Sequence, residues 1–175
     1  TAGTGVIVDG GGISSGQLFR VRDPYFRMDW LEIRNYDGDT VNGYPIYLDE
    51  SDAADNFFSQ LIIHDYTSTA RGGISVYENA TVRNCVIYNG DVGIRTYSSE
   101  AVLVPTLTVE NVTVYGMTSD GVFHRAGTLV VKNTISVNNG GQDFDLDSGN
   151  SANGAPVVVD GSSGYNLFST VDNSV

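Results

Sequence analysis

The sequence predicts an all-β chain wound as a right-handed parallel β-helix, a solenoid of about six or seven coils with three short strands in each. Three observations carry this expectation. A triplet of valine, a charged residue and asparagine returns: "TVRN" closes at Asn84, "TVEN" at Asn111 and "VVKN" at Asn133. Runs of β-formers flank each copy and end in turns rich in glycine, asparagine, aspartate and serine, a composition that suits strands and is poor for helices. Internal similarity at such a period marks an array whose units bury their apolar faces only against their neighbours.

With the asparagines as a ruler, the same place in other units falls to Asp9, Asp29, Gln60 and Asp160, so successive copies stand 20, 31, 24, 27, 22 and 27 residues apart. Each unit has one grammar. A strand of about three residues precedes the ruler residue, as at Leu107 to Val109, and a second follows it, as at Val112 to Val114. A turn and a third strand complete the coil, at 73–78, 93–98, 121–126 and 143–148. At one sheet spacing per coil the solenoid is roughly 30 Å long. A chain of 175 residues makes one such domain. The ruler residues read as corner posts. An asparagine side chain both donates and accepts, so stacked Asn84, Asn111 and Asn133, with Asp29, Gln60 and Asp160 as imperfect copies, are expected to satisfy backbone groups that leave the ladder at the corner.

The repeat, the opening "VIVDGGG" (6–12) and the closing "GYNLFS" (164–169) resemble the pectin-lyase-like superfamily of right-handed parallel β-helices from about Val6 to Phe168. That superfamily includes pectate lyases, polygalacturonases, phage tailspikes and surface proteins. The resemblance therefore implies a scaffold and leaves the activity open.

Alternation in the third strand separates core from surface. Phe19, Val21, Ile46, Leu48, Ile74, Val76, Ile94, Thr96, Val122, His124, Phe144 and Leu146 are expected inside. Two outward columns follow: Arg20, Tyr47, Ser75, Arg95, Phe123 and Asp145, and beside them Arg22, Asp49, Tyr77, Tyr97, Arg125 and Asp147. The resemblance implies that this sheet carries the substrate groove. Aromatic rings stack on sugars and arginine forks bind their oxygens, so Tyr47, Asp49, Tyr77, Arg95, Tyr97, Phe123 and Arg125 are the candidate contacts for a glycan or a partner. The competing reading is that these side chains pair with one another across coils.

Catalytic signatures are thin. A polygalacturonase-like site needs clustered carboxylates, and of the motifs this resemblance implies only Ser119-Asp120-Gly121 is a partial match. A pectate-lyase-like site needs a base beside the sugar carboxylate and Ca²⁺ to acidify its neighbour; Arg95, Arg125, Asp145 and Asp147 share the right face. Asp143, Asp145 and Asp147 form a D-x-D-x-D run and are the candidate calcium ligands, without the glycine and glutamate of an EF-hand loop. His64 and His124 are isolated, and Cys85 is the one cysteine, so no zinc site or disulfide framework is expected and no cofactor is required. Of two glycosylation sequons, at Asn79 and Asn111, the ladder role of Asn111 leaves Asn79 as the acceptor.

Charge narrows the partners. With 21 acidic against 9 basic residues, a formal charge of −12, nucleic acid and anionic lipid are disfavoured, and no apolar run approaches a membrane span. The chain starts at Thr1, which reads as a processed product or a piece of something longer. Its two ends, 6–21 and 157–171, resemble each other and read as coils rather than caps, so copies of this chain stacked head to tail are expected as one partner and a polysaccharide as another. The expected role is a non-catalytic structural or adhesive module of an extracellular fibre, a cell surface or a phage particle. The alternative is a carbohydrate-active enzyme, a polysaccharide lyase or a glycoside hydrolase, acting in the Tyr/Arg/Asp-bearing groove.

Overall fold

The computed structural model describes residues 5–13, 15–38, 43–49, 55–66, 72–96, 105–125, 127–146, 157–160 and 162–172. Among them twenty strands wind through three sheets in strict rotation. The first turn is β1 (Val6–Asp9), β2 (Gln17–Val21) and β3 (Arg27–Asp29); the second is β4 (Leu31–Arg34), β5 (Tyr44–Leu48) and β6 (Asn56–Ser59). Next come β7 (Ile62–His64), β8 (Gly72–Val76) and β9 (Ala80–Arg83), then β10 (Val86–Tyr88), β11 (Val92–Thr96) and β12 (Thr106–Glu110). After these run β13 (Thr113–Tyr115), β14 (Val122–Phe123), β15 (Gly127–Lys132), β16 (Ile135–Val137), β17 (Phe144–Asp145) and β18 (Val157–Val159), and finally β19 (Leu167–Phe168) and β20 (Val171–Asp172). The first and second sheets hold seven strands and the third holds six, and every strand pair is parallel. The rotation leaves β1, β2 and β3 at one end of the sheets and β18, β19 and β20 at the other.

Parallel pairing one coil on places like beside like. In the first sheet Ile33, Ile63, Ile87 and Val114 form one fully buried column. In the second, Ile46, Ile74, Ile94 and Val122 do the same, and in the third Phe58, Val82 and Val109. Each side chain so covered contributes about 1.5–3 kcal/mol of hydrophobic transfer. Neither neighbour of a coil can be dispensed with, because each coil supplies only half of the cover.

The corner between the third and first sheets differs from expectation in who occupies it and why. Trp30, Gln60, Asn84, Asn111, Asn133 and Tyr165 all sit there with φ between 49° and 61°. Asp29 is one residue early, paired with Ser59 and bonded to Arg27 and the Ser59 hydroxyl. Asp160 is five residues early: it opens a turn, accepting from Ser162 and Ser163, and this insertion moves the corner on to Tyr165. Asp9 lies at the opposite end of a first-sheet strand. The asparagines are also exposed rather than buried. Backbone bonds run straight through the corner, from Asn84 N to Glu110 O at 3.0 Å and from Asn111 N to Lys132 O at 3.0 Å. One side-chain rung joins Asn111 Nδ2 to Asn84 Oδ1 at 3.2 Å. What the corner demands is a left-handed backbone, which asparagine tolerates and most residues resist by about 1–2 kcal/mol.

A second left-handed corner follows the five inner first-sheet strands, β4, β7, β10, β13 and β16, at Asn35, Asp65, Asn89, Gly116 and Asn138. Side chains step along it too, Asn35 to Asp9 at 3.1 Å and Asn89 to Asp65 at 3.2 Å. Inside this corner Tyr36 and Tyr66 fill the core. A Cβ at Gly90 would stand 2.0 Å from Tyr66 Cζ, so only glycine fits beneath that ring.

The backbone account of the corner separates two substitutions. Asn111→Gly is expected to leave the urea midpoint within about 0.5 kcal/mol of wild type, whereas Asn111→Val loses about 1–2 kcal/mol. Equal losses would mean that the side-chain rung, not the φ angle, sets the cost.

Candidate ligand-binding face

The second sheet carries the candidate contacts. Its inward residues are buried from Val21 to Leu146, with Phe19 half-buried. The first outward column runs in register as Arg20, Tyr47, Ser75, Arg95, Phe123 and Asp145. The pairing continues from Asp145 to Asp172. Tyr97 and Asp147 lie outside the described residues.

Two clusters occupy the face. In the first, Asp49 accepts from Arg20 Nε at 2.7 Å and from Arg22 Nε at 3.2 Å, across 29 and 27 residues of chain. Tyr47 stacks on Tyr44 with centroids 4.5 Å apart, meets Tyr77 edge-on at 5.5 Å, and lies beneath the Arg20 guanidinium at 5.9 Å. Burial pushes the Tyr47 phenol well above its ordinary value, helped by Tyr77 and Asp49. Burial also pushes Asp49 upward, but the bonds from Arg20 and Arg22 outweigh it and hold its carboxyl below the usual range. In the second cluster two guanidiniums lie over the Phe123 ring, Arg95 at 4.8 Å and Arg125 at 5.0 Å from its centroid. Phe123 is only 8% exposed, so it supports the two forks and offers no open stacking platform.

The cross-coil pairing is therefore substantial, and it fixes the geometry of whatever the face presents. Arg20, Arg22 and Tyr44 belong to the site although they were not among the candidate contacts. The sequence trace of this cluster is an Arg-x-Arg pair one coil before an aspartate.

Of the three calcium candidates, Asp147 lies outside the described residues and the other two part. Asp143 does not turn outward with Asp145: it is 1% exposed, and its carboxylate accepts from Asn139 Nδ2 at 2.7 Å, Ser169 N at 2.7 Å, Ser169 Oγ at 2.6 Å and Thr170 N at 3.0 Å. Burial raises its proton affinity, yet the bonds from Ser169, Asn139 and Thr170 win and hold it low. It clasps the coil of β17 to the next one. Asp145 lies apart in the outer column, and among the described residues no cluster of three metal-ligating side chains forms.

Other candidates are structural as well. Asp120 accepts from Gln142 N at 2.8 Å. His64 stacks on Tyr88 at 4.7 Å on the first sheet, away from this face. Asn79 Oδ1 accepts from Thr106 N at 2.8 Å, while Asn111 is the exposed member of the two sequons.

Asp49 gives a pH signature. A carboxyl held below its ordinary value adds stability that is present above about pH 4 and lost as pH falls through its folded value. Urea midpoints taken from pH 6 down to pH 2.5 are expected to fall less steeply below pH 4 in Asp49→Asn than in wild type. Separately, Asp143→Ala is expected to lower stability by about 1–3 kcal/mol in the same assay, because it removes the buried carboxylate on which Asn139, Ser169 and Thr170 converge.

Among the described residues there is no helix, and so none long and apolar enough to cross a membrane. No curated protein and no solved structure matches the chain. The family model described as right handed beta helix region matches residues 26–174. With three parallel sheets in rotation and that match over most of its length, the chain belongs to the right-handed β-helix family.

Proposed function

We propose that this chain is a non-catalytic structural or adhesive β-helix module of the extracellular space, and that its second-sheet face binds an acidic polysaccharide. The observation that carries the reading is the pair of guanidiniums, Arg95 and Arg125, gathered over the Phe123 ring. Guanidinium forks fixed on a rigid sheet match the carboxylates of a uronate chain and lose little side-chain entropy on binding. Among the described residues, the outer columns from β2 to β17 carry four arginines, Arg20, Arg22, Arg95 and Arg125, against two aspartates, Asp49 and Asp145. This excess of cations belongs to a chain of charge −12. At physiological salt the screening length is about 8 Å, so the nearby forks outweigh acids elsewhere on the molecule.

The acids on the face argue for binding rather than turnover. Asp49 is committed to two arginines, and Asp145 stands four strands further along, roughly 19 Å at ~4.8 Å per strand. Paired carboxylates in glycosidases lie about 5–9.5 Å apart. His124 is buried behind the sheet.

Isothermal titration with polygalacturonate, alginate and neutral dextran tests the reading. The uronate polymers are expected to bind and dextran not to. The Arg95→Ala/Arg125→Ala pair is expected to weaken binding at least tenfold, about 1.4 kcal/mol, with circular dichroism unchanged. Equal binding to dextran, or release of reducing ends or unsaturated products by the wild-type chain, would sink it.

A further inference from the structure

His124 is a histidine with no surface: it is 0% exposed, in the inward column of the second sheet directly behind the segment that bears Phe123 and Arg125. Its Nδ1 lies 3.0 Å from Thr96 Oγ1, and the same hydroxyl oxygen accepts the Arg125 backbone N–H at 3.0 Å. One hydroxyl thus ties together the buried imidazole and the backbone of a residue on the ligand face. The His124 amide donates to Asp145 O at 2.8 Å, which fixes the other side of the same segment.

The Thr96 hydroxyl oxygen has two lone pairs: it takes the Arg125 N–H and can either take or give the proton it shares with Nδ1. Nε2, buried as well, has no hydrogen-bond partner among the described residues. A neutral ring therefore needs only the Thr96 contact, whereas a doubly protonated ring puts a charged N–H at Nε2 into an apolar interior with nothing to receive it. The inward column gives the charge no relief. Val76 and Thr96 stand on the β8 and β11 side and Leu146 on the β17 side, while the nearest charged groups in these strands, Arg95, Arg125 and Asp145, point out from the other face. Burial accordingly depresses the imidazole to about 4, opposed in part by the nearby Gly127 backbone.

We infer that His124 is a proton-sensitive latch: acid opens the segment 122–125, separates Arg125 and Phe123 from Arg95, and so weakens the ligand face. The regulation rests on the binding reading above, whereas the opening itself does not. The sign follows from linkage. An opened segment exposes an imidazole with an ordinary value of 6.5 against about 4 when closed, so opening becomes more favourable as pH falls from 6.5 towards 4 and is level outside that window. From pH 7.5 to pH 5 the opening equilibrium rises roughly thirtyfold.

Amide hydrogen exchange of the ligand-free chain, read by NMR at pH 7.5, 6 and 5 and corrected for intrinsic rates, tests the latch. Wild-type protection at the Arg125 amide is expected to fall about thirtyfold, and in His124→Gln, neutral throughout, to stay level. Level protection in wild type, or the same fall in His124→Gln, overturns the proposal. Should that variant not fold, the wild-type ring signal of His124 decides. Titration of the ring near 6.5 with no loss of Arg125 protection overturns the latch, and titration near 4 with protection falling between pH 6.5 and 4 supports it. Polygalacturonate titrations at the same pH values divide the two claims: binding lost in step with protection supports regulation of the site. Absence of binding at every pH refutes the ligand reading and leaves the latch to the exchange data.

Discussion

A left-handed backbone turn at the same place in every coil is the constraint on which this molecule depends. It swings the chain from the third sheet to the first without interrupting the bonds to the next coil, as Asn84 N to Glu110 O and Asn111 N to Lys132 O illustrate. Only residues that tolerate positive φ serve there cheaply, which accounts for the recurring asparagines better than any bond their side chains make. Trp30 and Tyr165 adopt the same angle in the outer coils, where rings 71% and 97% exposed meet few neighbours. Coil-to-coil pairing at fixed register then does the rest: it lines up isoleucines and valines inside and arginines and aromatics outside.

That register also explains why the outer face of the second sheet is ordered before any ligand arrives. Arg20, Arg22 and Asp49 come from successive coils, as do Tyr47 and Tyr77, and Arg95 and Phe123. A side chain that reaches across a coil is held by a neighbour about 4.8 Å away, so its rotamer is set by packing rather than by chance. The same economy of neighbours limits chemistry. A carboxylate already committed to several donors is poorly placed to move protons, and of the acids seen in detail Asp49 steadies two arginines while Asp143 is held by Asn139, Ser169 and Thr170.

Much of this was legible in the residues. Alternation identified the inward and outward columns of the second sheet from Arg20 to Asp145, because a period of two admits no ambiguity once one inward residue is known. The corner was harder. A ruler based on residue type placed Asp29 and Asp160 on it, but backbone angle decides, and neither tryptophan nor tyrosine advertises a positive φ. The second corner, at Asn35, Asp65, Asn89, Gly116 and Asn138, keeps the same spacing as the first but changes residue type at Asp65 and Gly116, so no single letter marks it. The run of Asp143, Asp145 and Asp147 reads as three equivalent carboxylates, because sequence spacing cannot reveal that Ser169 and Thr170, a coil away, supply donors to the first of them.

The interior is not uniform along its axis. Ser136 continues the column of Ile33, Ile63, Ile87 and Val114. Thr134 follows Leu61, Cys85 and Val112 at the corner, and Ser136, Asn139 and Asp143 bond to one another after it. In a one-dimensional stack, stability is a sum of each unit and its contacts with the units beside it. Where those contacts are hydrogen bonds rather than aliphatic carbon, they are directional and fail abruptly when one partner moves. Residues 134–143 are therefore coupled to their neighbours by geometry, whereas the aliphatic coils preceding them are coupled by contact area.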